Sequence, residues 1–185
     1  MNNTPKTRHP LMARLEELVR REDRGALAAL RRGLGRPPGT VPEMHPHVQP
    51  FLAADGLKGW REDCCYIVAA LLASHPDLGG RGNLGDTMRR LSEAVAGKPG
   101  ERADSVERRF IALLKADRED LFGHLRHAVS LAKAKEVPVN YDRLLRDIRN
   151  WDSDQRWVQR NWARAFWGSG SVAGHNEPQP ANTGE

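Results

Sequence analysis

The chain has 185 residues, of which 39% are hydrophobic and 29% charged, a balance that suits a folded, well-solvated protein rather than a disordered one. That length builds one sizeable core or two small ones and excludes a large multidomain enzyme. The 29 Lys and Arg outnumber the 24 Asp and Glu, giving a formal charge of +5, so a polyanionic partner enters consideration at once.

No apolar run is long enough to cross a bilayer, and MNNTPKTRHP lacks the apolar stretch of a signal peptide. We therefore expect a cytoplasmic protein with no membrane partner. Cys64 and Cys65 are adjacent, and neighbours on a helix point about 100° apart. They cannot share a chelate site, and read as two small buried hydrophobes in a reducing compartment.

Taken in order, Leu11, Leu15, Leu18 and Val19 trace the inner stripe of a first amphipathic helix. A second short helix covers 26–32 and ends at GLGRPPG, where glycine and proline stop it. Residues 40–59 carry Pro42, Pro46 and Pro50, which predicts a long connection with at most a single helical turn. Trp60, Cys64, Ile67, Val68, Leu71 and Leu72 mark the most apolar segment, the expected central helix. Helix resumes over 86–96 with Met88, Leu91 and Val95 inward, and GKPG at 97–100 is the clearest boundary between two halves.

Val106, Phe110, Leu113 and Leu114 define the next helix. Asp117 and Asp120 form the capping signature of another, whose inner face is Leu121, Phe122, Leu125, Ala128 and Val129. Asn140 caps a helix carrying Tyr141, Leu144, Leu145, Ile148 and Trp151. The last helix is expected to begin near Asp154. No stretch alternates as a half-buried strand must. The expected fold is all-α: an N-terminal helical bundle over 10–96, a C-terminal bundle over 101–167, the two forming an elongated protein, and a disordered tail over 168–185.

The final helix holds RWVQRNWARAFW, residues 156–167, with three tryptophans and three arginines. Winding it puts Arg156, Arg160 and Arg164 on one stripe at i, i+4 and i+8, opposite Val158, Trp162, Ala165 and Phe166. Successive arginines rise about 6 Å along the axis, comparable with the step between phosphates. The stripe fits phosphate tracking, and it equally fits a solvated face paired with acids such as Asp152 and Asp154. Trp162 reads as core; Trp157 and Trp167 flank the arginines.

Other patterns carry less. GRGNLG at 80–85 satisfies G-x-G-x-x-G, but a helix end rather than a strand precedes it, so it reads as a loop. Asp152 with Asp154, and His45 with His47, lack a third ligand for a metal. The aspartates read as a helix start. No catalysis, metal or cofactor is expected.

RRFIALLKADREDLFGHLRHAV, followed by VPVNYDRLLRDIRNWDSDQRWVQRNWARAFW, resembles the CasB family, the small subunit of the type I-E CRISPR Cascade complex. Residues 107–167 follow its pattern in order and gaps: a basic residue before ADR, an LR pair, an LLRDL-like run to Trp and a closing VQ-x-x-WA-x-x-F helix. Arg31 with Arg32, VQPF at 48–51 and the helix after Trp60 match more loosely. The resemblance implies a non-catalytic, all-helical subunit. It would lie head to tail with a second copy beside CRISPR RNA and the Cascade subunits CasA, CasC, CasD and CasE. Its basic surfaces would hold the target and displaced DNA strands of an R-loop. Guide pairing would supply sequence specificity, so the protein needs only backbone contacts.

Carried over by position, the phosphate-facing residues are Arg32, Arg109, Lys115, Arg118, Arg126 and Arg156, with Arg61 or Lys58 ahead of the core helix. Arg160 and Arg164 come from the stripe alone. Two other classes fit the residues without the resemblance: a helix-turn-helix regulator of duplex DNA, and a helical adaptor that binds protein only.

Overall fold

The computed structural model describes residues 8–53 and 56–168, and every regular element among them is helical. The helices are α1 (Pro10–Arg20), α2 (Arg24–Arg31), α3 (His45–Ala53), α4 (Trp60–Ser74), α5 (Leu84–Ala96), α6 (Asp104–Lys115), α7 (Arg118–Ala134), α8 (Tyr141–Ile148) and α9 (Trp157–Trp167). The fold is all-α, as the periodicity predicts. The tail expected over 168–185 lies outside the described residues apart from Gly168.

Local chemistry starts several of the helices. Asp23, Asn83, Asp117 and Asn140 each turn a side-chain oxygen onto the exposed backbone N–H groups of α2, α5, α7 and α8. These groups have no partner within the helix, and such a cap is worth about 1 kcal/mol. At α5 the cap is reciprocal, because Asp86 accepts from the Asn83 N–H at 2.8 Å. Helix α5 therefore starts at Leu84, two residues ahead of the sequence expectation.

Burial then assembles the elements. Every residue of α4 from Cys64 to Ala73 is buried, as a helix apolar on all sides requires. It packs against α1, α2, α3, α7 and α8, while α5 packs against α6, α7 and α9. Polar groups brought into this core find partners: the Tyr141 hydroxyl donates to the His75 carbonyl at 2.9 Å, and the Trp60 indole to the Ile148 carbonyl at 2.9 Å. The boundary residues 97–100 form the α5–α6 connection, where Gly97 takes φ +78° to end α5.

Three segments differ from expectation. Residues 42–53 are not a loop: a 3-10 turn (Pro42–Met44) leads into α3, with Pro50 inside it. Met44, Val48 and Leu52, spaced i, i+4 and i+8, are all buried, and that apolar stripe outweighs the hydrogen bond Pro50 cannot donate. Helix α8 ends at Ile148, although Trp151 beyond it is still buried. Helix α9 starts at Trp157 rather than near Asp154, because Arg156 sits in the left-handed region at φ +46°, ψ +39°. Asp152 and Asp154 thus lie in turns ahead of the helix, not in its first turn.

Candidate nucleic-acid interface

The corner between α6 and α7 is where predicted cations converge. The last carbonyls of a helix have no partner within it. Here two residues from the segment after α8 supply donors: the Trp151 indole to the Ala116 carbonyl at 2.9 Å, and the Arg156 guanidinium to the Leu114 carbonyl at 2.6 Å. A cation at a helix C-terminus also answers the negative end of its dipole. The left-handed backbone of Arg156 is what turns its side chain back onto α6 instead of out along α9.

Lys115 and Arg156 consequently line one recess of about 220 Å³, with Asp117 and Asp152 at its edge. Arg118 forms an ion pair with Asp152. Its guanidinium lies 4.8 Å from the ring centre of Trp60, which stacks on Phe122 at 4.9 Å with planes 4° apart. Lys115 and Arg156 share that recess and Arg118 is tied to it through Asp152, although the three span 41 positions in sequence from first to last.

The other predicted residues are dispersed. Arg109 lines a recess with His124 and His127 of α7. Arg126 lines another beside the 33–38 loop. Arg32 pairs with Glu43 of the 3-10 turn, whose carboxyl is held below its usual range by a backbone hydrogen bond and then by Arg32. Arg160 and Arg164 are exposed on α9, and Arg164 donates to Asn161 at 3.0 Å. Because Arg156 precedes the helix, the expected three-arginine stripe reduces to these two. Of the nine predicted cations only Arg32 and Arg118 hold a carboxylate among the described residues.

The tryptophans divide similarly. Trp162 is fully buried and donates to Asp147 Oδ2 at 2.7 Å. Trp167 donates to Glu107 at 3.0 Å and packs on Phe110 and Phe166, fastening α9 to α6. Trp157 is half-buried beside Arg61, in a recess to which α8 brings Arg143 and Arg146 and the turn after it Arg149. The sequence reading passed over these three arginines. Their spacing of three in RLLRDIR is the available signal, overshadowed by the run's apolar side and its place in the family pattern.

The remaining motifs resolve structurally. His45 Nδ1 lies 2.7 Å from the Tyr66 hydroxyl, and no three of His, Cys, Asp and Glu gather as a metal requires among the described residues. Burial pushes the Cys64 thiol far above its ordinary range, so it is not a poised nucleophile. In GRGNLG, Gly82 adopts φ +75° and the motif leads from a loop into α5 with no strand before it.

Residues 26–167 match the family model described as CRISPR-associated protein Cse2. The chain belongs to the Cse2 (CasB) family of the type I-E Cascade. A Cse2 protein of Thermus thermophilus is 41% identical over 147 residues, spanning 79% of this chain and 80% of that relative. The crystal structure of a Cse2-family protein from the same organism superposes with a TM-score of 0.72 at 36% identity, covering 87% of this chain and 99% of that one. M. ruber CasB gives 0.68 at 34% identity, over 83% and 93% of the two chains. A chain of a CRISPR RNA-guided surveillance complex gives 0.66 at 30%, over 84% and 88%. The Cse2 match takes in α6 to α9 entirely, and with them the recess at Lys115 and Arg156.

Proposed function

We propose that this Cse2-family chain is the non-catalytic small subunit of a cytoplasmic, type I-E RNA-guided DNA surveillance complex. In that reading it binds nucleic-acid backbone through basic helix ends and stabilises the R-loop of CRISPR RNA, target strand and displaced strand. Its neighbours are CasA, CasC, CasD and CasE, with a second copy of itself head to tail. Family membership supports the assembly, since a 30% identical neighbour is a chain of such a complex.

The observation that carries the binding role is the α6–α7 corner. Lys115 and Arg156 are exposed, mounted on a rigid helix end, and hold no carboxylate among the described residues. Such groups release counterions on meeting phosphates and need no base contact to do so. Reading of duplex DNA by α9 has less support, because Trp162 and Trp167 are spent on packing and only Arg160 and Arg164 face outward.

The test replaces Arg109, Lys115 and Arg156 together by Ala in the assembled complex. Target DNA should dissociate faster, and the salt slope of binding should fall by about one for each phosphate no longer neutralised, with helix content unchanged. A triple variant that holds target DNA as well as the parent, with the same salt slope, overturns the assignment.

A further inference from the structure

The recess beside Arg61 gathers more positive charge than the chain neutralises. Arg61 lies in the first turn of α4, Arg143 and Arg146 come from α8, Arg149 and Asn150 follow it, and Trp157 opens α9; together with Asp147 they line about 300 Å³. Asp147, the carboxylate that lines it, is engaged through both oxygens, while Asp142 behind it is engaged through one, its Oδ1 being buried without a partner. Asp147 accepts from Arg143 at 2.8 Å on one oxygen and from Trp162 at 2.7 Å on the other, and Asp142 accepts from Arg146 at 2.7 Å.

That leaves two guanidiniums without a carboxylate. Arg61 is exposed and makes no ion pair among the described residues. Arg149 places Nη2 2.8 Å from His9 Nε2 and 3.2 Å from Cys65 Sγ, while its Nε is buried with no partner. A buried donor left unpaired is destabilising, so an incoming acceptor is favoured. The wall is completed by the half-buried Trp157, whose indole N–H has no acceptor among the described residues. The recess is thus rich in donors and poor in available acceptors. The ligand that answers it is compact, anionic and made of acceptor oxygens.

We propose that this recess binds a phosphate group, with Arg61 and Arg149 as its principal donors. A guanidinium pairs with phosphate through two parallel bonds, and partial enclosure strengthens each of them. The same chemistry arrives either as a free anion or as a backbone phosphate of a single strand. The site is separate from the Lys115–Arg156 recess, sharing no lining residue with it.

The test follows the Trp157 indole N–H by NMR in the full chain, assigned with Trp157→Phe. Inorganic phosphate is titrated at constant ionic strength against chloride, and then a short oligothymidylate. A saturable shift with phosphate identifies a free-anion site. A shift only with the strand, abolished when its phosphates are replaced by neutral methylphosphonates, identifies the backbone. In either case Arg61→Gln should weaken binding about tenfold, and Arg149→Gln likewise. Because Arg61 is exposed, its variant keeps the test decisive even if Arg149→Gln loosens the fold. No saturable shift with either probe, or full retention in Arg61→Gln, overturns the proposal. Lys115→Ala with Arg109→Ala, neither of which lines this recess, should leave the phosphate response of Trp157 unchanged, so a failure of the R-loop reading is distinguishable from a failure of this one.

Discussion

Arg118 shows how a single carboxylate can set the strength of a site. It is ion-paired with Asp152 and stacked on Trp60, so a phosphate must compete with an acceptor already in place. Both partners are largely exposed, which limits the pair to less than about 1 kcal/mol. Asp152→Asn should therefore raise single-strand affinity by roughly two- to fivefold at low salt, and by less at high salt. Asp154, exposed and without an ion pair among the described residues, is the control, and Asp154→Asn should change affinity less. Equal effects in fluorescence anisotropy would mean that net charge alone is being read. Deeper in the molecule, Trp162→Ala removes a fully buried indole and strands an oxygen of Asp147. Urea unfolding should show a loss of about 3–5 kcal/mol. Trp162→Phe, which mainly removes the hydrogen bond, should lose less.

At the level of elements, α5 and α9 touch backbone to backbone at Gly85. A Cβ added there would fall within 3.0 Å of the Trp162 carbonyl oxygen. Gly85→Ala should thus push α9 from α5 and destabilise the protein by more than the ordinary gain from replacing a helical glycine, about 1 kcal/mol, could offset. A stabilised Gly85→Ala variant in thermal unfolding would refute that close approach. The sequence disclosed most elements because their signals were local: the stripe of α4 and the caps at Asp117 and Asn140 need only a few neighbouring residues. It concealed α3, since the prolines are visible in the chain whereas the buried seat of Met44, Val48 and Leu52 is tertiary. It misplaced the start of α9 for a related reason. The left-handed backbone of Arg156 goes with a bond to Leu114, 42 positions away. The family pattern offers candidate cations one by one, Lys115, Arg118, Arg156 and Arg61 among them, but not Arg143, Arg146 or Arg149. Their grouping into the corner at Lys115 and the recess at Arg61 was not legible, because both depend on how α8 and the turn after it pass the ends of α4 and α6.

For the whole molecule, the division into a bundle over 10–96 and a bundle over 101–167 is a proposal about cooperativity. Residues 97–100 divide the chain in topology, yet the packing crosses them in several places. Helix α4 lies against α8, and α5 against α6, α7 and α9. Trp60 donates to Ile148, and Tyr141 donates to His75, so hydrogen bonds join the same two segments. Buried side chains from both sides form one cluster. If half of this packing were removed, each bundle would expose the apolar face it now covers with the other, and a bundle of that size has little stability to spare. We expect one unfolding transition, with tryptophan fluorescence and far-UV circular dichroism giving coincident midpoints in urea. Trp60 reports on the first segment and Trp151, Trp157, Trp162 and Trp167 on the second, so variants retaining only one set would separate two transitions if the halves unfold independently. A single transition would also mean that the recesses at Lys115 and Arg61, built where the helix ends and turns of the folded chain meet, persist or vanish together. Phosphate binding at Trp157 should then raise the midpoint of the whole chain, by the amount that its measured affinity and the phosphate concentration dictate.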